Sequence, residues 1–188
     1  MVEIQLTKGK KALIDSADSS LVSGFKWYAG GSEKRFFAAH DRALPGGGKK
    51  TILMHRLILD ADPSVVVDHI NGDALDNRRA NLRLCSRRQN SWNSKAKGNR
   101  EFSGIAPRKN GWAARIEPYG MAISLGVWPT QEKAAAAYNQ AAQIIFGEYA
   151  RLNDVTPLPQ EEWQEVLSRK EKEIDRMMRE LSMLKGKG

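Results

Sequence analysis

Short apolar runs separated by turn-forming residues fill the first third of the chain. Gly-Gly-Ser at 30–32 and Pro-Gly-Gly-Gly at 45–48 are typical turn sequences, so the runs around them predict short β-strands. The predicted strands are EIQL, KALID, FKWYA, RFFAAH and TILMHRLIL. Alternation in the last run places His55 on a strand, where we expect a structural or supporting histidine rather than a reacting one.

A valine run at 65–67 predicts a buried strand that leads directly into Asp68 and His69. A polar loop follows over residues 70–81. Leucines then alternate with an arginine over residues 82–84, which suits a second short strand. Because neighbours on a regular strand point to opposite faces, Asp68 and His69 can serve one site only if the strand bends, bulges or ends there.

Ser86 and Gln89 have the spacing of a capping box and predict the start of a helix. This start places Asn90 within about the first turn of that helix. Gly98 is expected to end the helix, and the polar segment 95–101 is the best candidate for a domain boundary.

Three strands and one long helix are predicted between residues 102 and 147. FSGIAPR, WAARIE and AISLGVW have strand character, and Thr130 can cap the helix QEKAAAAYNQAAQIIF, which stops at Gly147. The alanines of this helix allow close packing on a sheet. The segment therefore predicts three strands covered by one helix.

Beyond Pro157 and Pro159, a heptad pattern predicts a last helix from Glu161. The apolar seam has one polar member and consists of Trp163, Leu167, Lys170, Ile174, Met177, Leu181 and Leu184. Two arrangements fit this pattern equally: a helix packed on its own domain, and a homodimer seam through residues 161–185. Together the elements predict an α+β protein with domains at 1–98, 99–155 and 156–188.

The chain is basic, with 30 lysines and arginines against 22 acidic residues and a formal charge of +8. Most of the excess lies in residues 1–98, and a basic protein favours an acidic partner such as nucleic acid. Cys85 is the single cysteine, so neither an intrachain disulfide nor a CxxC zinc knuckle can form. No signal peptide or membrane span is recognisable, which predicts a soluble protein of the cytoplasm without membrane association.

Asp68, His69 and Asn90 carry the functional groups that phosphodiester hydrolysis needs. A carboxylate oxygen and an amide oxygen, together with water and phosphate oxygens, suit Mg²⁺, whereas structural zinc prefers nitrogen and sulfur ligands. A neutral His69 can remove a proton from water near pH 7. The three residues together predict a metal-assisted nuclease site.

The segment VVVDHINGDALDNRRANLRLCSRRQN resembles the HNH endonucleases, in particular the phage and intron homing branch with a ββα-metal fold. The upstream segments KALID, FKWYA and MHRLIL also resemble the N-terminal strands of that branch. The resemblance implies Asp68 and Asn90 as ligands of Mg²⁺ (Mn²⁺ can substitute) and His69 as general base. It implies that Asn81 orders the loop and orients the histidine. Asn90 stands where the family name has a histidine, a variant of the homing branch, and no structural zinc is expected.

Five arginines surround the predicted site. Their positions allow either a solvated surface or contacts with the DNA backbone, and beside a phosphate-cleaving centre DNA contacts are favoured. The five are Arg78, Arg79, Arg83, Arg87 and Arg88.

Residues 102–153 resemble the apetala-two (ethylene-response-factor) DNA-binding domain, through FSGIAPRKNGWAARI and LGVWPTQEKAAAAYNQAAQIIFGEYARLN. In that family a three-stranded sheet enters the major groove. The matching contact positions are Arg108, Lys109, Trp112 and Arg115. Ala106, Glu117 and Ser124 depart from the arginines or tryptophan of plant members, so base-specific recognition stays open. Trp112 fits a DNA contact and a core position equally.

The leading interpretation is a Mg²⁺-dependent homing endonuclease that acts on double-stranded DNA and is encoded by a phage or mobile element in a bacterial host. A monomer would nick one strand, and a dimer could cut both. A non-cleaving DNA-binding regulator with a decayed nuclease domain is the alternative. A restriction or defence nuclease would use the same chemistry.

Overall fold

The structure is a computed structural model, and it describes residues 1–33, 35–94 and 100–185. The chain forms two compact units, Met1–Asn93 and Ser94–Gly188. Small antiparallel sheets and several helices build both units, so the α+β class is confirmed. Most of the predicted boundary segment, including Gly98, lies outside the described residues.

The first unit contains two strand pairs, one three-stranded sheet and short helices. Its antiparallel pairs are β1 (Val2–Gln5) with β2 (Lys11–Ile14), and β6 (Val66–His69) with β7 (Leu82–Cys85). The sheet has the order β3 (Tyr28–Ser32), β4 (Arg35–Ala43) and β5 (Lys49–Leu53). The α-helices are α1 (Ser19–Val22), α2 (Met54–Ile58) and α3 (Arg87–Trp92).

One apolar core connects these elements. Ile14 of β2 and Met54 of α2 are fully buried, and Val67 of β6 packs into the same cluster. The strand that carries Asp68 and His69 is thus fixed from one side by aliphatic packing, which is the main favourable contribution to the stability of such a unit.

The predicted strand FKWYA and the predicted turn at 30–32 were both wrong in part. β3 begins only at Tyr28 and continues through residues 30–32. The indole of Trp27 instead donates to a carbonyl of α1, at 2.9 Å. A Cβ atom at Gly30 would lie 2.5 Å from the ring of Phe37 on β4, so that glycine permits close packing rather than a turn.

The predicted strand TILMHRLIL was wrong in its second half. β5 ends at Leu53, and residues Met54–Ile58 form α2. Met54 and Ile58 are both buried, at the four-residue spacing of one helix face. A short apolar run satisfies both periodicities, and packing against the core selects the helix here. His55 therefore lies on a helix rather than a strand.

The second unit has a three-stranded antiparallel sheet in the order β10 (Ile123–Trp128), β9 (Gly111–Ile116) and β8 (Ile105–Arg108). Helix α4 (Gln131–Phe146) packs on this sheet. Thr130 caps the helix, because its hydroxyl oxygen accepts from the amide of Lys133 at 3.2 Å. Six buried alanines let helix and sheet approach closely: Ala134, Ala135, Ala136, Ala137, Ala141 and Ala142.

The last helix, α5 (Gln160–Lys185), follows the two prolines as predicted. It contacts α4 and β10 within its own unit. Trp163 and Ile174, two members of the predicted seam, are buried in the single chain. This burial favours packing on the same unit for these two positions, and the homodimer stays a prediction.

Candidate active site

The strand of Asp68 and His69 ends at this pair, as the site requires. In the antiparallel register Asp68 lies opposite Arg83, and His69 is the last residue of β6. The next amide, that of Ile70, donates to the carbonyl of Asn81 at 2.9 Å and starts the loop. The two side chains therefore have different surroundings at one end of the β6–β7 hairpin.

Helix α3 begins with the predicted capping box. The hydroxyl of Ser86 accepts from the amide of Gln89 at 3.2 Å, and the Gln89 side chain accepts from the amide of Ser86 at 2.8 Å. Asn90 lies inside the helix, and Asn93 follows it as the C-terminal cap residue. The helix thus ends well before Gly98, because Asn93 is drawn towards the end of β6.

Asp68 is 5% exposed and accepts hydrogen bonds from two side chains. Arg83 donates to its Oδ2 atom from Nε at 2.9 Å and from Nη2 at 2.7 Å. Asn93 donates from Nδ2 to Oδ1 at 3.1 Å and to Oδ2 at 3.0 Å. A buried carboxylate needs such partners, since an unpaired buried charge is strongly unfavourable.

The amide group of Asn93 also holds the backbone where the strand ends. Its Nδ2 atom lies 2.9 Å from the carbonyl oxygen of His69 and 3.1 Å from that of Ile70. One side chain thus fixes both the Asp68 carboxylate and the chain that carries the histidine. Asn93 was not predicted as a site residue from the sequence, although its spacing of three from Asn90 places it on the same helix face.

Asn90, the predicted second metal ligand, is half-buried on α3. Its backbone amide donates to the carbonyl of Ser86 at 3.0 Å. Among the described residues, the amide that contacts Asp68 belongs to Asn93, one turn further along.

The donor chemistry around Asp68 fits a hard divalent cation. The Asp68 carboxylate offers oxygen atoms, which Mg²⁺ prefers, whereas Asn93 presents its amide nitrogen to this carboxylate. No group of three or more His, Cys, Asp or Glu that could hold a metal occurs in the described part of the chain. A cation at Asp68 would therefore keep most of its ligands as water or phosphate oxygens, and Arg83 would share the carboxylate with it.

His69 is 3% exposed, and its imidazole contacts the amide of Asn77 and the ring of His55. Its Nε2 atom is 3.4 Å from Oδ1 of Asn77, and its ring meets that of His55 edge-on at 5.0 Å between centroids. Burial lowers the pKa of His69 below its ordinary value, whereas the hydrogen bond that His69 donates to Asn77 and the charge of Asp68 act to raise it. Burial thus disfavours the charged form of this imidazole.

His55 supports His69 from helix α2. Burial lowers the pKa of His55 to about 3, and the positive charge of Arg56 acts in the same direction. Its Nδ1 atom is buried without a hydrogen-bond partner. A ring that cannot take up a proton here is a packing surface for His69 rather than a second base.

Asn81 orders the loop between the two strands. Its side chain accepts from the amide of Asn71 at 3.0 Å and donates to the carbonyl of Asp76 at 2.8 Å and to the side chain of Asn71 at 3.0 Å. Asn77, a residue that the sequence analysis missed, is the one that contacts the imidazole of His69. No local sequence signal distinguishes it from the other loop asparagines.

Three of the five arginines near the site are engaged with carboxylates of the chain itself. The pairs are Arg78 with Asp76 at 2.6 Å, Arg79 with Asp18 at 2.8 Å, and Arg83 with Asp68 at 2.7 Å. These pairs fix the loop and the hairpin, so the charge of each arginine is already partly balanced. Arg87 and Arg88 lie exposed on α3.

The register of the second sheet separates its predicted DNA contacts onto two faces. Trp112 pairs with Pro107 and Trp128, on the same face as the buried Ala114. Arg108 and Arg115 belong to the opposite face, and both are exposed, as is Lys109 in the β8–β9 turn. The half-buried Trp112 therefore shares the helix-facing side of the sheet.

Comparison with known proteins identifies the first unit. A family model described as HNH endonuclease matches residues 53–92. An uncharacterised HNH endonuclease, L560 of Acanthamoeba polyphaga mimivirus, is 33% identical over 156 residues, which cover 79% of this chain and 77% of that protein. The chain belongs to the HNH endonuclease family. The HNH match includes α2, the hairpin and α3, and it stops one residue before Asn93.

A second relative aligns with a shorter part of this HNH protein. The dehydration-responsive element-binding protein 2A of Arabidopsis thaliana is 46% identical over 55 residues. The alignment covers 28% of this chain and 16% of the plant protein, so it concerns one segment of each. No helix within the described residues is both long and apolar enough to span a membrane.

Proposed function

We propose that this HNH protein is a metal-dependent, homing-type DNA endonuclease with its catalytic site at the end of the β6–β7 hairpin. The observation that carries the proposal is that a buried imidazole, His69, directly follows the buried carboxylate of Asp68 at the end of β6. An imidazole that takes up a proton and an oxygen ligand for a cation are the two groups that this hydrolysis requires.

In the proposed mechanism His69 removes the proton from the attacking water. Asp68 and Asn90 would hold one Mg²⁺, which would supply charge stabilisation at the phosphate and the leaving oxygen. Asn93 keeps the Asp68 carboxylate in place, and Arg83 balances its charge before DNA arrives. Asn81 maintains the loop, and His55 limits the rotation of the His69 ring.

The second unit is proposed to bind double-stranded DNA and to position the nuclease unit. Three observations support this role: the alignment with a plant protein named for binding a response element, the three-stranded sheet packed on one helix, and the exposed cations Arg108, Lys109 and Arg115. The guanidinium of Arg115 forms an ion pair with the carboxylate of Glu117, with 2.8 Å between Nη2 and Oε2. We therefore favour contacts of this sheet with phosphates over recognition of bases. Trp112 is assigned to the interior side of the sheet.

A homing enzyme of a mobile element is favoured because the similar mimivirus protein comes from a viral genome. A DNA-binding regulator with a decayed nuclease domain is the second candidate. The presence of Asp68, His69, Asn81 and Asn90 argues against decay, since loss of function removes the constraint on such residues.

Incubation of the purified protein with supercoiled plasmid that carries its native flanking DNA tests the nuclease function. Nicked or linear product is expected with Mg²⁺ and not with chelator. His69→Ala should abolish cleavage and retain DNA binding. His40→Ala is the matched control. His40 packs on Phe25 and Trp27, so this variant should cleave DNA like the wild type. Absence of any product from the wild-type protein with Mg²⁺ would refute the proposal.

A further inference from the structure

Asn77 is the polar side chain in contact with the imidazole of His69. It is fully buried, and its Oδ1 atom lies 3.4 Å from Nε2 of the histidine. This distance is long for a hydrogen bond, but catalytic hydrogen bonds are often long before substrate binds. A buried amide beside a buried imidazole leaves few alternative partners for either group.

The orientation of the Asn77 amide follows from its second contact. Its Nδ2 atom lies 3.0 Å from the carbonyl oxygen of Leu75. A carbonyl oxygen can only accept, so the NH₂ group must face Leu75. The oxygen of the amide then faces His69, and it requires a donor there.

The neutral imidazole has one N–H group, and the Asn77 oxygen selects the nitrogen that carries it. Nε2–H donates to Asn77, which leaves Nδ1 as the nitrogen with a free lone pair. We infer that Asn77 is a positioning residue that holds His69 in the Nε2–H tautomer and makes Nδ1 the atom that accepts the proton from water.

Strand β2 holds Asn77 in this position. The backbone amide of Asn77 donates to the carbonyl of Leu13 at 2.8 Å, and the amide of Leu13 donates to the carbonyl of Leu75 at 2.8 Å. These bonds fix the loop on both sides of its contact with His69. The N-terminal hairpin, which lies before the residues 53–92 matched by the family model, is therefore part of the apparatus that orients the base.

The inference rests on the proposed nuclease function for its catalytic meaning, but the tautomer can be measured without any activity. Nitrogen NMR of the metal-free, histidine-labelled full-length protein distinguishes Nε2–H from Nδ1–H, and His69→Ala assigns the signals. We expect the Nε2–H form of His69 in the wild type. A predominant Nδ1–H form would overturn the inference even if the protein cuts DNA.

Variants then test the role of Asn77 itself. Asn77→Leu keeps a similar volume and removes the acceptor, so we expect a mixture of tautomers and a cleavage rate reduced about 10- to 100-fold. Asn77→Asp keeps an acceptor and should retain the Nε2–H form. Because Asn77 does not contact Asp68 in the structure, Mn²⁺ binding followed by electron paramagnetic resonance should stay within about twofold of the wild type.

Asn71→Ala is the matched control in the same loop. Asn71 bonds to Asn81 and Asp76 but not to the His69 ring, so the tautomer should remain Nε2–H. An unchanged tautomer in Asn77→Leu, or an equal change in Asn71→Ala, would show that general loop order and not Asn77 sets the proton position. If the wild type shows the expected tautomer and never cuts DNA, the nuclease proposal fails while the assignment of the proton stands.

Discussion

Arg83 donates two hydrogen bonds to a single carboxylate oxygen of Asp68 from the neighbouring strand, at 2.7 and 2.9 Å. The side chain of Arg83 is 11% exposed and that of Asp68 is 5% exposed, so this ion pair is largely withdrawn from water. The cation that balances Asp68 in the absence of metal is thus provided by the protein, and several consequences can be measured.

Arg83→Gln should destabilise the metal-free protein by about 3–5 kcal/mol, because it leaves a buried carboxylate without its cation. Millimolar Mg²⁺ should recover more stability in this variant than in the wild type, since a bound cation can replace the lost charge. Urea unfolding with and without Mg²⁺ measures both effects. Arg115→Gln, which breaks an exposed pair in the second unit, should cost no more than about 1 kcal/mol. Equal losses in the two variants would contradict the role of burial.

Asn90→Ala and Asn93→Ala should separate metal binding from structure. Asn93 contacts Asp68 and two backbone carbonyls, so its loss should cost about 1–3 kcal/mol of unfolding free energy. Asn90→Ala should lose metal-dependent cleavage with little change in stability, because alanine has a high helix propensity inside α3. Thermal unfolding and Mn²⁺ binding of both variants test this division. Loss of stability in Asn90→Ala together with loss of metal binding in Asn93→Ala would exchange the roles of the two asparagines.

Stability should fall in weak acid because His55 is buried in its neutral form. Its pKa in the folded protein is about 3, below the ordinary value near 6.5. As the pH falls below about 6.5, His55 binds a proton in the unfolded chain but stays neutral in the folded chain until about pH 3. The contribution of His55 to stability is therefore fully present above about pH 6.5 and is lost progressively as the pH falls towards about 3. For His55 alone the loss at pH 5 is about 2 kcal/mol. Urea unfolding at pH 7.5 and 5.0 should therefore show a smaller difference for His55→Leu than for the wild type, and an identical difference would disprove this cause.

Gly104→Ala should unfold the second unit more readily than Gly120→Ala. Both glycines have positive φ angles, 75° and 78°, so both substitutions carry backbone strain of about 1 kcal/mol. A Cβ atom at Gly104 would also overlap the ring of Tyr138 on α4, whereas Gly120 has open space around it. An additional loss of at least about 2 kcal/mol is expected for Gly104→Ala. Circular dichroism melting of the two variants gives the comparison, and equal melting would exclude the steric effect.

Alanine at Arg108, Lys109 and Arg115 together should weaken DNA binding and reduce its salt dependence. Each lost phosphate contact lowers the slope of log K against log salt by about one. Fluorescence anisotropy at several salt concentrations measures this slope. Lys172→Ala, an exposed charge on α5, is the matched control and should leave the slope unchanged. An unchanged slope in the triple variant would remove the sheet from the DNA-binding surface.

Local signals in the sequence were sufficient for the hairpin and for α3. The valine run at 65–67 predicted β6, and the Ser86–Gln89 spacing predicted the capping box that the structure contains. The same kind of reasoning failed at Met54–Ile58, because a run of apolar residues fits a strand and a helix equally until the core selects one. Local pattern therefore places the elements but not every backbone conformation.

The partners of the reactive groups could not be predicted, because they depend on contacts between distant parts of the chain. Asn77 and Asn93 have the same composition signal as any loop asparagine, and only the closed fold brings them to His69 and Asp68. The arginines show the same limit. Arg79 is paired with Asp18, 61 residues earlier, so its exposure could not be judged from neighbouring positions.

The bonds between β2 and the loop at Leu75–Asn77 also connect the surroundings of His69 to the first strands of the chain. They join residues about sixty positions apart, and contacts of such separation form late in folding because they require closure of a long loop. A chain that has lost its first strands retains Asn77 within the HNH match but loses the backbone bonds to Leu13 that hold this asparagine in place. The proposed orientation of His69 therefore requires the closed fold from β2 to Asn77, and not the residues of the HNH match alone.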